Sequence, residues 1–216
     1  MFKINAQLFT AAGPDGVRRL SSLGPGIFLD LKFHDIPNTV AGAVAAAIML
    51  PGIRLLNVHA TGGLAMMRAG AEALTKGRSR ANRPSLLGVT ILTSMDRAAL
   101  RDVGISGTPA ARVLSLARLA KRAGLDGVVA SPHEIRQIRR SCGRSFLIVV
   151  PGVRPAQPSG FRGVDDQARV ATPHNAIRAG ADYLVVGRPI VSAPDPRKAA
   201  EAIIREIAGA LRPDKH

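Results

Sequence analysis

Along this chain, apolar runs of five to eight residues alternate with longer stretches in which apolar positions recur every three or four residues. A strand in a parallel sheet is covered on both faces, so it reads as a nearly continuous apolar run. Seven runs fit that description: "MFKIN", "IFLDLK", "RLLNVHA", "SLLGVTIL", "DGVVAS", "FLIVVPG" and "DYLVVGR". Between them the helical period predicts helices over 13–22, 37–50, 62–76, 108–123, 131–141, 172–180 and 195–211. Start and stop residues agree with those bounds. Ser131 precedes Pro132 and Thr172 precedes Pro173, as at helix N-termini, while Gly124 and Gly180 follow the last turns. Strands alternating with helices in this way build an α/β fold around a parallel sheet.

Seven βα units are one short of a closed (β/α)8 TIM barrel, and 216 residues lie at the low end of that fold's usual size of about 250. Either the sheet is of another, open kind, or the chain is a barrel that lacks its first βα unit. The strand ends favour the barrel. Lys3, Asp30 and Lys32, Asn57 and His59, Thr93, Ser131, Arg154 and Arg188 all fall at or near C-terminal strand ends, where barrel enzymes concentrate their chemistry. We therefore expect one domain over residues 1–216, an α/β TIM barrel without its first unit.

Composition narrows the class. The chain has 30 Lys plus Arg against 15 Asp plus Glu, a formal charge of +15, which raises nucleic acid as a partner. The arginines are spread along the expected helices with no long basic block, and 3% aromatic content leaves few platforms for base stacking, so no nucleic-acid partner is expected. A single cysteine, Cys142, rules out an internal disulfide framework and a Cys-rich metal site, which suits a reducing cytoplasm. No apolar run reaches the roughly 18 residues of a membrane span, and no signal-peptide pattern opens the chain. A cytoplasmic location and no membrane partner are the expectation.

The stretch that carries chemistry is "FLDLKFHDIPNTV", where Asp30, Lys32 and Asp35 interrupt an apolar strand. Strand alternation places Phe28, Asp30 and Lys32 on one face and Leu29, Leu31 and Phe33 on the other. Lys3 ends the preceding strand in the same layer. A structural ion pair is the plain alternative, but apolar packing would serve stability at lower cost than two carboxylates and two lysines together.

These residues, with "NVHATGG", "GVTILTS", "GLDGVVAS", "PGVRP" and "DYLVVGRPI", make the chain resemble the orotidine 5'-phosphate decarboxylases over essentially its whole length. The Asp-x-Lys-x-x-Asp element alone is shared with related sugar-phosphate decarboxylases and synthases. The resemblance implies a catalytic tetrad of Lys3, Asp30, Lys32 and Asp35, in a homodimer where Asp35 and Thr39 reach the partner subunit's site. It implies that Thr93 contacts the pyrimidine and that Arg154, Gln167, Gly187 and Arg188 hold the 5'-phosphate. The reaction implied is loss of CO2 from C6 to give UMP, with Lys32 protonating C6 and with no metal or organic cofactor. Independently, the phosphate site of such barrels is often built from the loops after the last two strands, where Arg154 and Arg188 fall.

The family's first strand carries a ribose-binding aspartate ahead of the position of Lys3, and this chain begins at "MFKIN". Our expectation is that Met1 is an internal start and that the natural protein carries roughly one further βα unit. Two rivals stay open: a catalytically impaired, truncated homologue, and a Mg²⁺-dependent sugar-phosphate decarboxylase of the same fold.

Overall fold

The protein is described here from a computed structural model covering residues 1–76, 83–155 and 171–211. Its strands are β1 (Phe2–Asn5), β2 (Ile27–Phe33), β3 (Ile53–His59), β4 (Ser85–Val89), β5 (Gly127–Val129), β6 (Leu147–Pro151) and β7 (Tyr183–Val185), and they form one sheet in sequence order. The pairs β1–β2, β2–β3, β3–β4 and β6–β7 are parallel. The helices are α1 (Ala6–Ser21), α2 (Pro37–Ala47), α3 (Gly63–Thr75), α4 (Arg97–Asp102), α5 (Pro109–Arg122), α6 (Ile135–Cys142), α7 (Pro173–Ala179), α8 (Arg188–Val191) and α9 (Pro196–Leu211). All seven expected strands and seven expected helices are present, and α4 and α8 are additional. No helix among the described residues is long and apolar enough to cross a membrane.

The chain divides into two compact units, Met1–Thr90 with Ser115–Val128, and Ile91–Leu114 with Val129–His216. In the first, the core is built on Ile4, Ile27, Leu29, Leu56, Leu86 and Leu87, all fully buried. Each contributes roughly 1.5–3 kcal/mol by leaving water. Helix α2 buries Val40, Val44 and Ala47, which its period brings to one side, and packs against α3, which buries Met66, Met67 and Leu74. A Cβ on Gly88 would lie 3.1 Å from the Ala120 side chain, so β4 and α5 approach closely there.

Helix α1 departs from expectation. It begins at Ala6, directly after β1, because the Asn5 side chain caps it by accepting the Leu8 N–H at 3.0 Å. Residue 13, the expected start of the helix, is instead a kink within it, with Gly13 at φ +58° ahead of Pro14. The β2–β3 ladder is irregular too: Leu29 pairs with Leu56 and Phe33 with Val58, so Asp30, Leu31 and Lys32 lie opposite Asn57 alone.

In the second unit, β6 and β7 pair through Val149–Tyr183, Val150–Leu184 and Pro151–Val185. Helix α7 is capped by Thr172, whose hydroxyl accepts the Asn175 N–H at 3.2 Å, and ends on Gly180 in the left-handed conformation. Glu206 of α9 accepts the His174 N–H, tying α9 to the start of α7.

Candidate active site

Three adjacent strands of the first unit converge on one carboxylate. Lys3, expected at the end of its strand, is the second residue of β1 and donates from Nζ to Asp30 Oδ2 at 2.7 Å, and Lys32 donates from Nζ to Asp30 Oδ1 at 2.7 Å. From β3, Asn57 donates its Nδ2 to Asp30 Oδ1, also at 2.7 Å. Asp30 is 7% exposed, whereas the lysine side chains are 28% (Lys3) and 37% (Lys32) exposed. Burial works to raise the Asp30 carboxyl, but hydrogen bonds from Lys3, Lys32 and Asn57, with the charge of Lys3, outweigh it and hold the pKa below the ordinary carboxylate value. One anion thus faces two ammonium groups, and the cluster carries a surplus positive charge beside solvent.

The strand alternation expected across Phe28, Asp30 and Lys32 breaks at Lys32. That residue sits at φ +53° and is the non-glycine residue with positive φ among the described residues. A side chain held there costs about 1–3 kcal/mol, and such strain persists where the surroundings over-determine it. Here the Lys32 backbone N–H donates to Asn57 Oδ1 at 2.8 Å while its Nζ is fixed on Asp30. Asn57, which sequence reasoning placed only among residues that could line the site, is completely buried and uses its amide as donor and acceptor at once.

Beside this cluster the exposed His34 stacks on His59 with ring centroids 5.3 Å apart, and His59 Nδ1 lies 2.9 Å from the Thr61 hydroxyl. Burial chiefly, then electrostatic repulsion from the His34 and Lys32 side chains, push the His59 pKa below its ordinary value. Asp35 lies beyond β2 and is exposed, its carboxylate accepting the Ile36 N–H at 2.6 Å; among the described residues it makes no ion pair. Thr39 is exposed in the first turn of α2. Within this chain the structure therefore brings together Lys3, Asp30 and Lys32 and leaves Asp35 and Thr39 facing outward.

The other expected residues lie in the second unit. Strand β4 ends at Val89, three residues short of the expected "SLLGVTIL", so half-buried Thr93 stands in a turn in which the Met95 N–H meets the Leu92 carbonyl at 2.9 Å. Arg154 follows β6, and its N–H donates to the Ala171 carbonyl at 3.1 Å. Strand β7 ends at Val185, so Arg188 is the first residue of α8 rather than the end of a strand. Gly187 caps that helix, its carbonyl accepting the N–H groups of Ile190 and Val191 at 2.8 and 3.0 Å. Both Gly187 and Arg188 are exposed, and a Cβ on Gly187 would meet nothing within 4 Å. Gln167 lies outside the described residues.

Two further aspartates were not singled out from the sequence as ion-pair residues. Asp126, just before β5, binds the Arg83 guanidinium through both oxygens at 2.6 and 2.9 Å and accepts the Leu86 N–H at 2.9 Å. Asp182, just before β7, accepts the Ile148 N–H at 2.7 Å and Arg139 Nη2 at 2.6 Å, while Arg139 also donates to the carbonyls of Gly143, Arg144, Phe146 and Gly180. The signal was the sequence Gly-x-Asp immediately ahead of each strand, Gly124 to Asp126 and Gly180 to Asp182.

The model of the "Orotidine 5'-phosphate decarboxylase / HUMPS family" matches residues 1–203. The chain is 56% identical over 207 residues to an orotidine 5'-phosphate decarboxylase of Geobacter sulfurreducens, covering 96% of this chain and 84% of that protein. It is also 56% identical over 210 residues to one from Moorella thermoacetica, covering 96% and 81% respectively. Among solved structures, the orotidine 5'-phosphate decarboxylase from Lactobacillus acidophilus matches with TM-score 0.82 at 41% identity, over 95% of this chain and 86% of that one. The fold class is the TIM barrel expected from the strand and helix pattern.

Proposed function

The chain belongs to the orotidine 5'-phosphate decarboxylase / HUMPS family, and from that premise we propose that it converts orotidine 5'-phosphate to UMP and CO2 without metal or organic cofactor. The observation that carries this reading is the Asp30 carboxylate shared by the ammonium groups of Lys3 and Lys32, each at 2.7 Å. In the reaction the bond from C6 to the carboxylate breaks, CO2 leaves, and the electron pair stays on C6. The Lys32 ammonium stabilises that charge and gives C6 its proton; the resulting amine recovers a proton from water.

Asp30 acts in the ground state, facing the substrate's carboxylate. Two like charges about 4 Å apart at an effective dielectric near 20 repel by about 4 kcal/mol, roughly a thousandfold in rate. Catalysis of the slowest reactions requires about 23 kcal/mol or more, so most of the effect comes from charge stabilisation at C6 and from binding energy of the remote phosphate. In this reading Arg154, Gln167, Gly187 and Arg188 hold that phosphate, and Thr93 meets the pyrimidine. Asp35 and Thr39, both exposed, serve the neighbouring subunit's site in a cytoplasmic homodimer.

The same geometry argues against a Mg²⁺-dependent sugar-phosphate reaction. Two ammonium groups already occupy Asp30, and their surplus charge opposes a divalent cation there. The test is the fall in ultraviolet absorbance of orotidine 5'-phosphate, run with and without EDTA. Turnover unaffected by chelation is expected. No turnover, or turnover that vanishes with EDTA and returns with Mg²⁺, would overturn the reading.

A further inference from the structure

The β2–β3 ladder is broken where the site is built. Three residues of β2, Asp30 to Lys32, stand against one residue of β3, and that residue is Asn57. The Lys32 N–H, which regular alternation would turn toward the β1 side, as at Gly26, is turned instead to the Asn57 side-chain oxygen of β3 at 2.8 Å. The other end of the same amide holds Asp30 Oδ1, the oxygen that also receives Lys32 Nζ. Asn57 therefore closes a ring through Lys32 backbone, Lys32 side chain and Asp30, and it does so from a fully buried position on a strand.

We propose that Asn57 is a positioning residue: its amide, reaching across from β3, holds Lys32 in the left-handed conformation that keeps its ammonium on Asp30. The inference rests on the decarboxylase reading for its kinetic consequence, but its structural content stands alone. The requirement is specific, because the group must accept from one neighbour and donate to another at once. A carboxylate can only accept when ionised, and an aliphatic side chain can do neither. A glycine at position 32 would adopt positive φ without help, whereas a lysine needs to be held.

The test is Asn57→Leu, which nearly preserves side-chain volume and removes both hydrogen bonds. Its kcat should fall about 100-fold, as expected when a reacting group is misplaced by about 1 Å, with KM for orotidine 5'-phosphate within about threefold of the wild type. A crystal structure of the variant should show Lys32 out of the left-handed region and its Nζ away from Asp30. If leucine does not fold, Asn57→Ala is read in the same way. An unchanged kcat, a fall in kcat with Lys32 unmoved, or equal losses in kcat and affinity would each overturn the proposal. A wild-type chain that fails to turn over orotidine 5'-phosphate contradicts the decarboxylase reading instead, and the crystal structure of the variant then decides the positioning claim by itself.

Discussion

Asp30 and Asp126 belong to the same compact unit, both carboxylates are largely shielded from water, and both receive short hydrogen bonds from cationic side chains. Asp126 is met by the Arg83 guanidinium and by the backbone N–H of Leu86, with the two side chains only 6% (Arg83) and 10% (Asp126) exposed. A guanidinium does not give up its proton, and its planar fork matches the carboxylate, so the pair clasps the Pro84–Leu86 segment to the start of β5. Asp30 is met by two ammonium groups and an amide. Those ammoniums are partly exposed, each has protons to spare, and one sits on a strained backbone. The Arg83–Asp126 pair thus keeps its charges out of water, whereas the Asp30 cluster keeps charge and protons facing outward, as the proposed chemistry requires.

The largest effect that sharpens this contrast is on rate. Lys32→Ala should lower kcat by at least about 10⁴-fold, the upper range of general acid catalysis, while UMP binding stays measurable by calorimetry. Its melting temperature should change little, since Lys3 and Asn57 still satisfy Asp30. Asp126→Asn should behave in the opposite way. Breaking a buried pair leaves Arg83 uncompensated and costs about 3–5 kcal/mol of stability, read in denaturant unfolding, with kcat per folded molecule unchanged.

Smaller still, Arg188→Ala should raise KM by roughly 10- to 100-fold, the worth of a lost charged hydrogen bond, and added guanidinium should restore part of it. The smallest effect is on pH dependence. Because the Asp30 carboxyl is held below its ordinary value of 3.8, the folded protein binds fewer protons there than the unfolded chain does. The resulting stability is complete above that value and is lost as pH falls through the lower, folded pKa. In Asp30→Asn the acid limb of an unfolding curve should flatten in that window.

Much of the fold was legible because periodicity and caps are local. Thr172, Pro173 and Gly180 bound α7 in the structure as they do in the sequence. What escaped was short or non-local. Helices α4 and α8, with six and four residues, are too short for a period to declare itself. The first two turns of α1 escaped because their cap, Asn5, lies inside the apolar run of β1, and the helical period shows only after the kink at Gly13. In the site, the grouping of Lys3, Asp30 and Lys32 was legible from charges that interrupt apolar strands, although Lys3 lies within β1 and the expected alternation fails at Lys32. The left-handed Lys32 was not, because nothing near it in sequence requires that conformation; the group that holds it, Asn57, comes 25 residues later on another strand.

The most direct test of the central claim, that Lys32 acts by donating a proton from a group held on Asp30, is the turnover of Lys32→Arg. This change makes the partner of Asp30 resemble that of Asp126: it keeps the charge and the ion pair but removes the ability to give up a proton. We predict a folded protein that binds UMP and decarboxylates orotidine 5'-phosphate no faster than about tenfold above Lys32→Ala. A Lys32→Arg enzyme within about tenfold of the wild-type rate would contradict the claim and leave charge alone as the role of Lys32.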